Sequence, residues 1–288
     1  MIRFQPRKIL VPFDFSAPSR LAWRHAVALA GRFGAELEFV YVEPWKMSAE
    51  LMPVSRLTPA WARRLRARIR AMVGEGMKIT VVEGDPAERI LHLAKTRRPD
   101  LIVMGTHGRS GLSRVLLGSV AEEVMRSSPA PVLAARGPAR IARAILAPVH
   151  FTSYSDHGFA YAAHAAGALG ARLTALHVNV DPIWGGNPLF HLTRMINALP
   201  PSLKARCAPL VEIAGDATAG ILKAAAKHDL IVLVAHEKPV LEGVLFGTTA
   251  ERVLRRSKKP VLVLPPPRAS SASWRALRRA SLTRAVRW

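Results

Sequence analysis

The chain has 288 residues, half of them apolar, a single cysteine (Cys207) and a formal net charge of +22. That length accommodates two domains of about 140 residues, each with its own core. One cysteine excludes an internal disulfide framework and suggests a reducing compartment. No apolar run reaches the roughly 18 residues of a membrane span, and Met1-Ile-Arg-Phe-Gln-Pro6 lacks a signal-peptide pattern, so a cytoplasmic location is expected.

The elements follow in chain order. Lys8-Ile-Leu-Val-Pro-Phe-Asp14 reads as a strand, Ser16 as a helix cap, and 18–33 as an alanine-rich helix closed by Gly34. Strands are predicted near 36–42, 78–83, 100–105 and 131–135, and helices near 57–73, 86–96 and 119–127. Strands alternating with helices imply right-handed βαβ crossovers and a mostly parallel, doubly wound sheet. Such sheets bind ligands beyond the carboxyl ends of the strands, where strand order reverses. Asp14, Val42 and Gly105 each end a predicted strand and can converge there.

The most informative segment follows Leu101-Ile-Val-Met104. Gly105, Gly108, Gly118 and Ser119 stand in a Gly-x2-Gly-x9-Gly-Ser spacing, and a helix starts directly after them. Glycines allow close backbone approach to an anion, and the first amides of a helix point at it. The spacing is neither a Walker A loop nor Gly-x-Gly-x-x-Gly. His107 and Arg109 lie inside the loop, within reach of a phosphate if they are not simply solvated.

The second half repeats the first. Ala144-Ile-Leu-Ala-Pro-Val-His150-Phe-Thr152 parallels the opening strand. Asp229-Leu-Ile-Val-Leu, Gly247-Thr248 and Pro260-Val-Leu match Asp100-Leu-Ile-Val-Met, Gly118-Ser119 and Pro131-Val-Leu at one constant offset. A repeat of this length is a duplicated domain rather than a solenoid unit. Expected boundaries are 1–140, 141–267 and a basic tail at 268–288.

At these residues the chain resembles the universal stress proteins, in particular their tandem-domain, ATP-binding branch. The resemblance rests on the opening Ile-Leu-Val-Pro-Phe-Asp-Phe-Ser, Gly84-Asp-Pro and the glycine signature, and covers about 5–137 and 141–265. It implies two tandem Rossmann-like, adenine nucleotide alpha hydrolase-like α/β domains, each a five-stranded parallel sheet flanked by helices. It also implies a site for ATP with Mg²⁺ made by Pro12, Asp14, Val42, Gly105, Gly108, Arg109, Gly118, Ser119 and Val120. In that family the residue matching Asp14 holds the adenosine part, and the one matching Val42 contacts adenine through its main chain. The matching glycine loop and the Gly-Ser-Val segment hold the phosphates. Trp45 to Pro59 resembles the variable segment before the second helix. The final strands, at 131–136 and 260–264, are expected to pair within the chain as a pseudo-dimer, with further association into homo-oligomers.

The second site departs from the pattern: Gly105, Gly108 and Asp14 become Val234, Glu237 and His150. One nucleotide per chain is therefore expected, in the first half, with the second half a structural or regulatory partner. No general base or nucleophile accompanies the loop, so a regulatory role is expected rather than an enzyme. A slow ATPase, or a basic scaffold for nucleic acid or membrane with a vestigial site, are the rivals.

Charge leaves those rivals open. Residues 1–140 carry 23 basic and 12 acidic side chains, 141–267 carry 13 and 8, and 268–288 carry six and none. Such a surface attracts polyanions in general. The tail, with Trp274, Leu277 and Trp288 among arginines, suits nucleic acid or an anionic membrane, although a disordered basic tail is the simpler reading. The arginines of 63–70 lack interleaved aromatics and read as a solvated helix face. His150, His157 and His164 are evenly spaced, but strand-end and helical positions need not converge on a metal.

Overall fold

In a computed structural model, residues 4–47, 53–54, 57–74, 77–107, 117–151, 153–180, 186–234 and 248–266 are described. The first half runs β1 (Lys8–Pro12), α1 (Ala17–Phe33), β2 (Glu36–Glu43), a small hairpin of β3 (Lys46–Met47) and β4 (Pro53–Val54), and α2 (Pro59–Val73). It continues through β5 (Lys78–Glu83), α3 (Pro86–Arg97), β6 (Leu101–Gly105), α4 (Ser119–Ser127) and β7 (Val132–Ala135). The second half runs β8 (Ala144–Pro148), α5 (Ser153–Leu169), β9 (Arg172–Asn179), α6 (Pro188–Asn197) and the single-turn α7 (Pro201–Lys204). β10 (Cys207–Ile213), α8 (Ala217–Ala225), β11 (Leu230–Val234), α9 (Thr248–Arg256) and β12 (Val261–Leu264) complete it.

Local chemistry sets the helix starts. The Ser16 hydroxyl accepts from Ser19 N–H at 3.2 Å, Thr58 from Trp61 N–H at 3.2 Å, and Asp85 from Glu88 N–H at 2.9 Å. A proline in the first turn, where no amide partner is needed, reinforces each start. Gly34 ends α1 in the left-handed region at φ 65°, which costs a residue without Cβ nothing.

Each half forms five parallel strands, and the halves join edge to edge. The sheet order is β10-β9-β8-β11-β12-β7-β6-β1-β2-β5. Within this sheet, among the described residues, only the central β12–β7 pair is antiparallel, with Leu262 opposite Leu133. The final strands thus pair within the chain, as the sequence led us to expect. Strand alternation sorts the core into two layers. Ile9, Val11 and Phe13 pack with Ala22, Ala26 and Leu29 of α1 and with Leu65 and Ile69 of α2. Leu10 faces the other way, with Ile90 and Leu93 of α3 and Val124 and Met125 of α4. Helices therefore cover both faces, which explains why the central strands are nearly continuously apolar.

Polar contacts fasten the seam between the halves. Arg255 of α9 bonds Glu122 of α4 at 2.8 Å and its own Glu251 at 2.9 Å. The Arg136 Nη1 donates to the Ser257 carbonyl at 2.7 Å. His25, 4% exposed, lines a cavity of about 30 Å³ with Leu133, Arg140 and Asp229. Its Nε2 has no partner.

Burial holds the pKa of His25, His107, His157 and His177 below the ordinary imidazole value of 6.5. The unfolded chain then takes up protons in a range where the folded chain resists them. Stability is full above pH 6.5 and is expected to fall as the pH drops below it. Asp156, raised by burial, acts in the opposite sense at lower pH. Denaturation of wild type and His25→Gln between pH 7.5 and 5 tests this, with a shallower loss expected for the variant; parallel curves would remove His25 from the account.

Candidate functional site

The strand order reverses between β1 and β6: β1 leads through α1 to β2 on one side, and α3 leads to β6 on the other. A cavity of about 350 Å³ opens at that point, at the carboxyl ends of the strands. This volume lies within the range of about 300–1,000 Å³ of small-molecule sites. Pro12 and Asp14 enter from the end of β1, Val42 from β2 and Gly105 from β6, with Gly118, Ser119 and Val120 at the start of α4. Seven of the nine residues singled out in the sequence thus line one cavity; Gly108 and Arg109 lie outside the described residues.

The turn after β1 aims Asp14. Phe15 adopts φ 67°, an uncommon conformation for an aromatic residue. Ser16 N–H donates to Asp14 Oδ1 at 3.0 Å, and Asp14 N–H donates to Ser19 Oγ at 3.4 Å. The carboxylate is therefore oriented by the same short segment that caps α1. Phe151 repeats the conformation at φ 52° in the second half, so the turn belongs to the scaffold.

α4 brings a helix N-terminus to the cavity. Its N-cap is Gly118, which has no side chain to take up the first amides, unlike the caps of α1, α2 and α3. Those amides and the positive end of the helix face the cavity edge where Ser119 and Val120 lie. Gly118 N–H donates to the Thr106 carbonyl at 2.7 Å, which pins together the two ends of the glycine-rich segment. His107 also lines the cavity, with its Nδ1 2.9 Å from Thr106 Oγ1. Its Nε2 is buried without a partner among the described residues. Burial, and then the positive charge of Arg136, hold this imidazole below its ordinary pKa, so it is neutral at pH 7.

The apolar wall was not read from the sequence. Val40, Pro44, Pro86, Ile90 and Met104 line the cavity and give it a surface fit for a flat ring. Val40 was findable, since it shares the face of Val42 two residues along the same strand. Ile90 comes from α3 and carries no local signal.

Gly105 has a packing reason to be glycine beside the one its motif suggests. A Cβ there would lie 2.7 Å from the Pro18 carbonyl carbon and 2.8 Å from Pro18 Cβ. The missing side chain lets α1 sit against β6. In the second half the relation is inverted: a Cβ at Gly158 of α5 would lie 2.4 Å from Val234 Cγ2. Val234 therefore turns toward α5 and finds its room in a helix glycine. Around it His150, in the place of Asp14, has its ring 6.5 Å from that of His177, on which Phe151 stacks at 4.4 Å. Glu237 and Gly247 lie outside the described residues, as does the tail at 268–288. Among the described residues no group of three or more His, Cys, Asp or Glu could hold a metal ion, and no helix is long and apolar enough to cross a membrane.

A doubly wound sheet with a cavity at its switch point, beside an uncapped helix N-terminus, is an α/β architecture that takes ligands at the carboxyl ends of its strands. Comparison with known proteins places it more narrowly. The model of the universal stress protein family matches residues 6–136 and again 142–265, and the chain belongs to that family. A universal stress protein of Methanocaldococcus jannaschii, MJ0531, is 38% identical over 143 residues, spanning 46% of this chain and 83% of that protein. A universal stress protein from Thermus aquaticus is 32% identical over 140 residues, 45% of this chain and 98% of its own length. The crystal structure of a universal stress protein from Archaeoglobus fulgidus superposes with a TM-score of 0.71 at 21% identity, over 91% of this chain and 99% of that one. The likeness to the last is one of fold.

Proposed function

We propose that the chain is a regulatory nucleotide-binding protein of the stress response that takes up one ATP, with Mg²⁺, in its first half. The observation that supports this most is the convergence of Asp14, Gly105 and the Gly118–Val120 segment on one cavity at the strand-order switch point. In this reading the base lies against Val40, Val42 and Ile90, and the Asp14 carboxylate accepts from ribose hydroxyls. The α4 amides, with Ser119, take the phosphates. Gly108 and Arg109 complete the phosphate end. Ser119 is the side chain here that would hold Mg²⁺ beside the phosphates, where the ion would offset their charge.

Calorimetric titration of Mg²⁺–ATP into the full chain tests the reading. Saturation near one nucleotide per chain is expected. Gly118→Val, which puts a branched side chain where the phosphates meet α4, should weaken binding about 100-fold or more, a loss of roughly 2.7 kcal/mol. Asp14→Asn should weaken it about tenfold, the usual worth of a hydrogen bond to a charged group. Unchanged affinity in both variants would move the site elsewhere. A second equivalent of ATP would restore the second half as a site.

A further inference from the structure

The strongest unexplained feature of the molecule is the charge on α1 and α2, which pack into the same core layer of the first half. Together they contain no Asp or Glu. Arg20, Arg24 and Arg32 are exposed on α1. On α2, Arg63, Arg64, Arg68 and Arg70 are exposed and Arg66 is half-buried. Three of the eight have local work: Arg20 donates to the Phe15 carbonyl, Arg32 to that of Ala168 at 3.1 Å, and Arg68 lies 4.2 Å over the Phe15 ring. None of the eight is within 4.0 Å of a carboxylate among the described residues.

The scaffold does not require this charge. The second half builds the same face from α5 and α6, which carry between them one arginine, Arg194, and one acid, Asp156. The charge also opposes the local structure. Like charges at i,i+3 and i,i+4, such as Arg63–Arg66 and Arg64–Arg68, each cost a helix about 0.2–0.5 kcal/mol. Arginines in the first turns of α2 oppose the helix dipole as well. An arrangement that costs stability and has no carboxylate partner among the described residues is suited to an anion from outside the chain.

The side chains between the arginines say which anion. Those exposed on α2 are Pro59 and the alanines Ala60, Ala67 and Ala71, and α1 adds the single large aliphatic Val27, while Trp61, Trp23 and Phe33 are half-buried against the core. Without an exposed aromatic platform the face cannot stack bases, which argues against single strands. Without exposed bulky apolar residues on α2 it has nothing to seat in a bilayer. Guanidinium forks match phosphate oxygens two at a time. α2 is about 22 Å long, the length of roughly six phosphates along one strand of a duplex. We propose that the α1–α2 face binds the phosphate backbone of double-stranded nucleic acid, without reading its sequence. This stands independently of the nucleotide site.

The test is fluorescence anisotropy of the full chain with a labelled 30-base-pair DNA duplex of arbitrary sequence, across 50–300 mM KCl. R63Q/R64Q/R66Q/R70Q keeps residues that favour a helix. It should lower the magnitude of the slope of log affinity against log salt by about 3 to 4, and weaken binding at 100 mM about 100-fold. A matched variant of the second half, K204Q/K227Q/R256Q/K258Q, removes the same charge and should change the slope by less than about 1. Equal losses in the two variants would reduce the effect to net charge, and no loss in the first would hand it to another segment. Tighter binding to a single strand of the same length, or to phosphatidylserine vesicles, would also overturn the proposal.

Discussion

Gly105→Ala is expected to lower the free energy of unfolding by about 1–3 kcal/mol, the cost of forcing one methyl into a packed contact. The new Cβ would lie 2.7 Å from the Pro18 carbonyl carbon, 2.8 Å from Pro18 Cβ and 2.9 Å from the Pro18 oxygen. None of these atoms is the end of a flexible side chain. The proline ring and its carbonyl sit in the first turn of α1, held by the Ser16 cap. Relief therefore requires moving the helix off β6, and Ala22 and Ala26 behind it leave no slack, since both are fully buried. The backbone conformation is not the obstacle, because Gly105 is not among the glycines with positive φ. Denaturant unfolding without nucleotide measures the effect. Full stability with impaired ATP binding would mean that this glycine serves the ligand alone. The second half supplies a control. Gly158→Ala should destabilise through Val234, and Val234→Ala should restore most of the loss, giving a coupling of about 1 kcal/mol or more in a double-mutant cycle.

That pair also marks how far the sequence could be read. The strands and long helices of the first half were legible because each signal is local: apolar runs, the Ser16 and Gly34 caps, and proline after Asp85. The parallel, doubly wound sheet followed from the alternation of elements, and the β7–β12 pairing from what the family resemblance implied for the two final strands. The hairpin of β3 and β4 was not legible, as two-residue strands have no periodicity. Nor was α7, a single turn. Within the site, glycine spacing located the cavity edge and the repeat located its strand ends. The apolar wall from Ile90 and Met104 was hidden because a residue lining a cavity looks like any core residue. The family resemblance implied a phosphate-facing role for Gly105, and the geometry adds a packing role against Pro18 that the motif did not reveal. Val234 breaks the glycine pattern, and its side chain points to Gly158. The direction of a Cβ depends on a helix packed from elsewhere in the chain, which spacing alone does not encode.

The first half alone, residues 1–140, is expected to form a dimer of about twice its mass, in place of the monomer that a self-sufficient domain would give. Relatives of single-repeat length, such as the Thermus aquaticus protein matched over 98% of its sequence, show that one repeat is a complete family member. Cutting after 140, however, strips β12 from β7 and leaves Val132, Leu133 and Ala134 as an open edge. Such an edge recruits another strand. The antiparallel pairing with β12 is the geometry in which a second β7 can take its place, because a two-fold interface matches a surface with itself. Leu133 and Leu262, 6% and 2% exposed, would be replaced by two copies of Leu133. Arg136 provides the readout. In the intact chain it holds the Ser257 carbonyl, and Ser257 occupies the place of Ser128: each hydroxyl bonds the carbonyl two residues on, that of Lys259 and of Ala130. In the dimer Arg136 would meet the partner's Ser128 instead. Sedimentation velocity on 1–140 should show a concentration-dependent dimer, weakened about tenfold or more by Arg136→Ala, as for a lost hydrogen bond from a charged donor. A monomer at all concentrations would mean that the β7 edge is closed by something within the first half, and that the second half is attached to the fold without completing it.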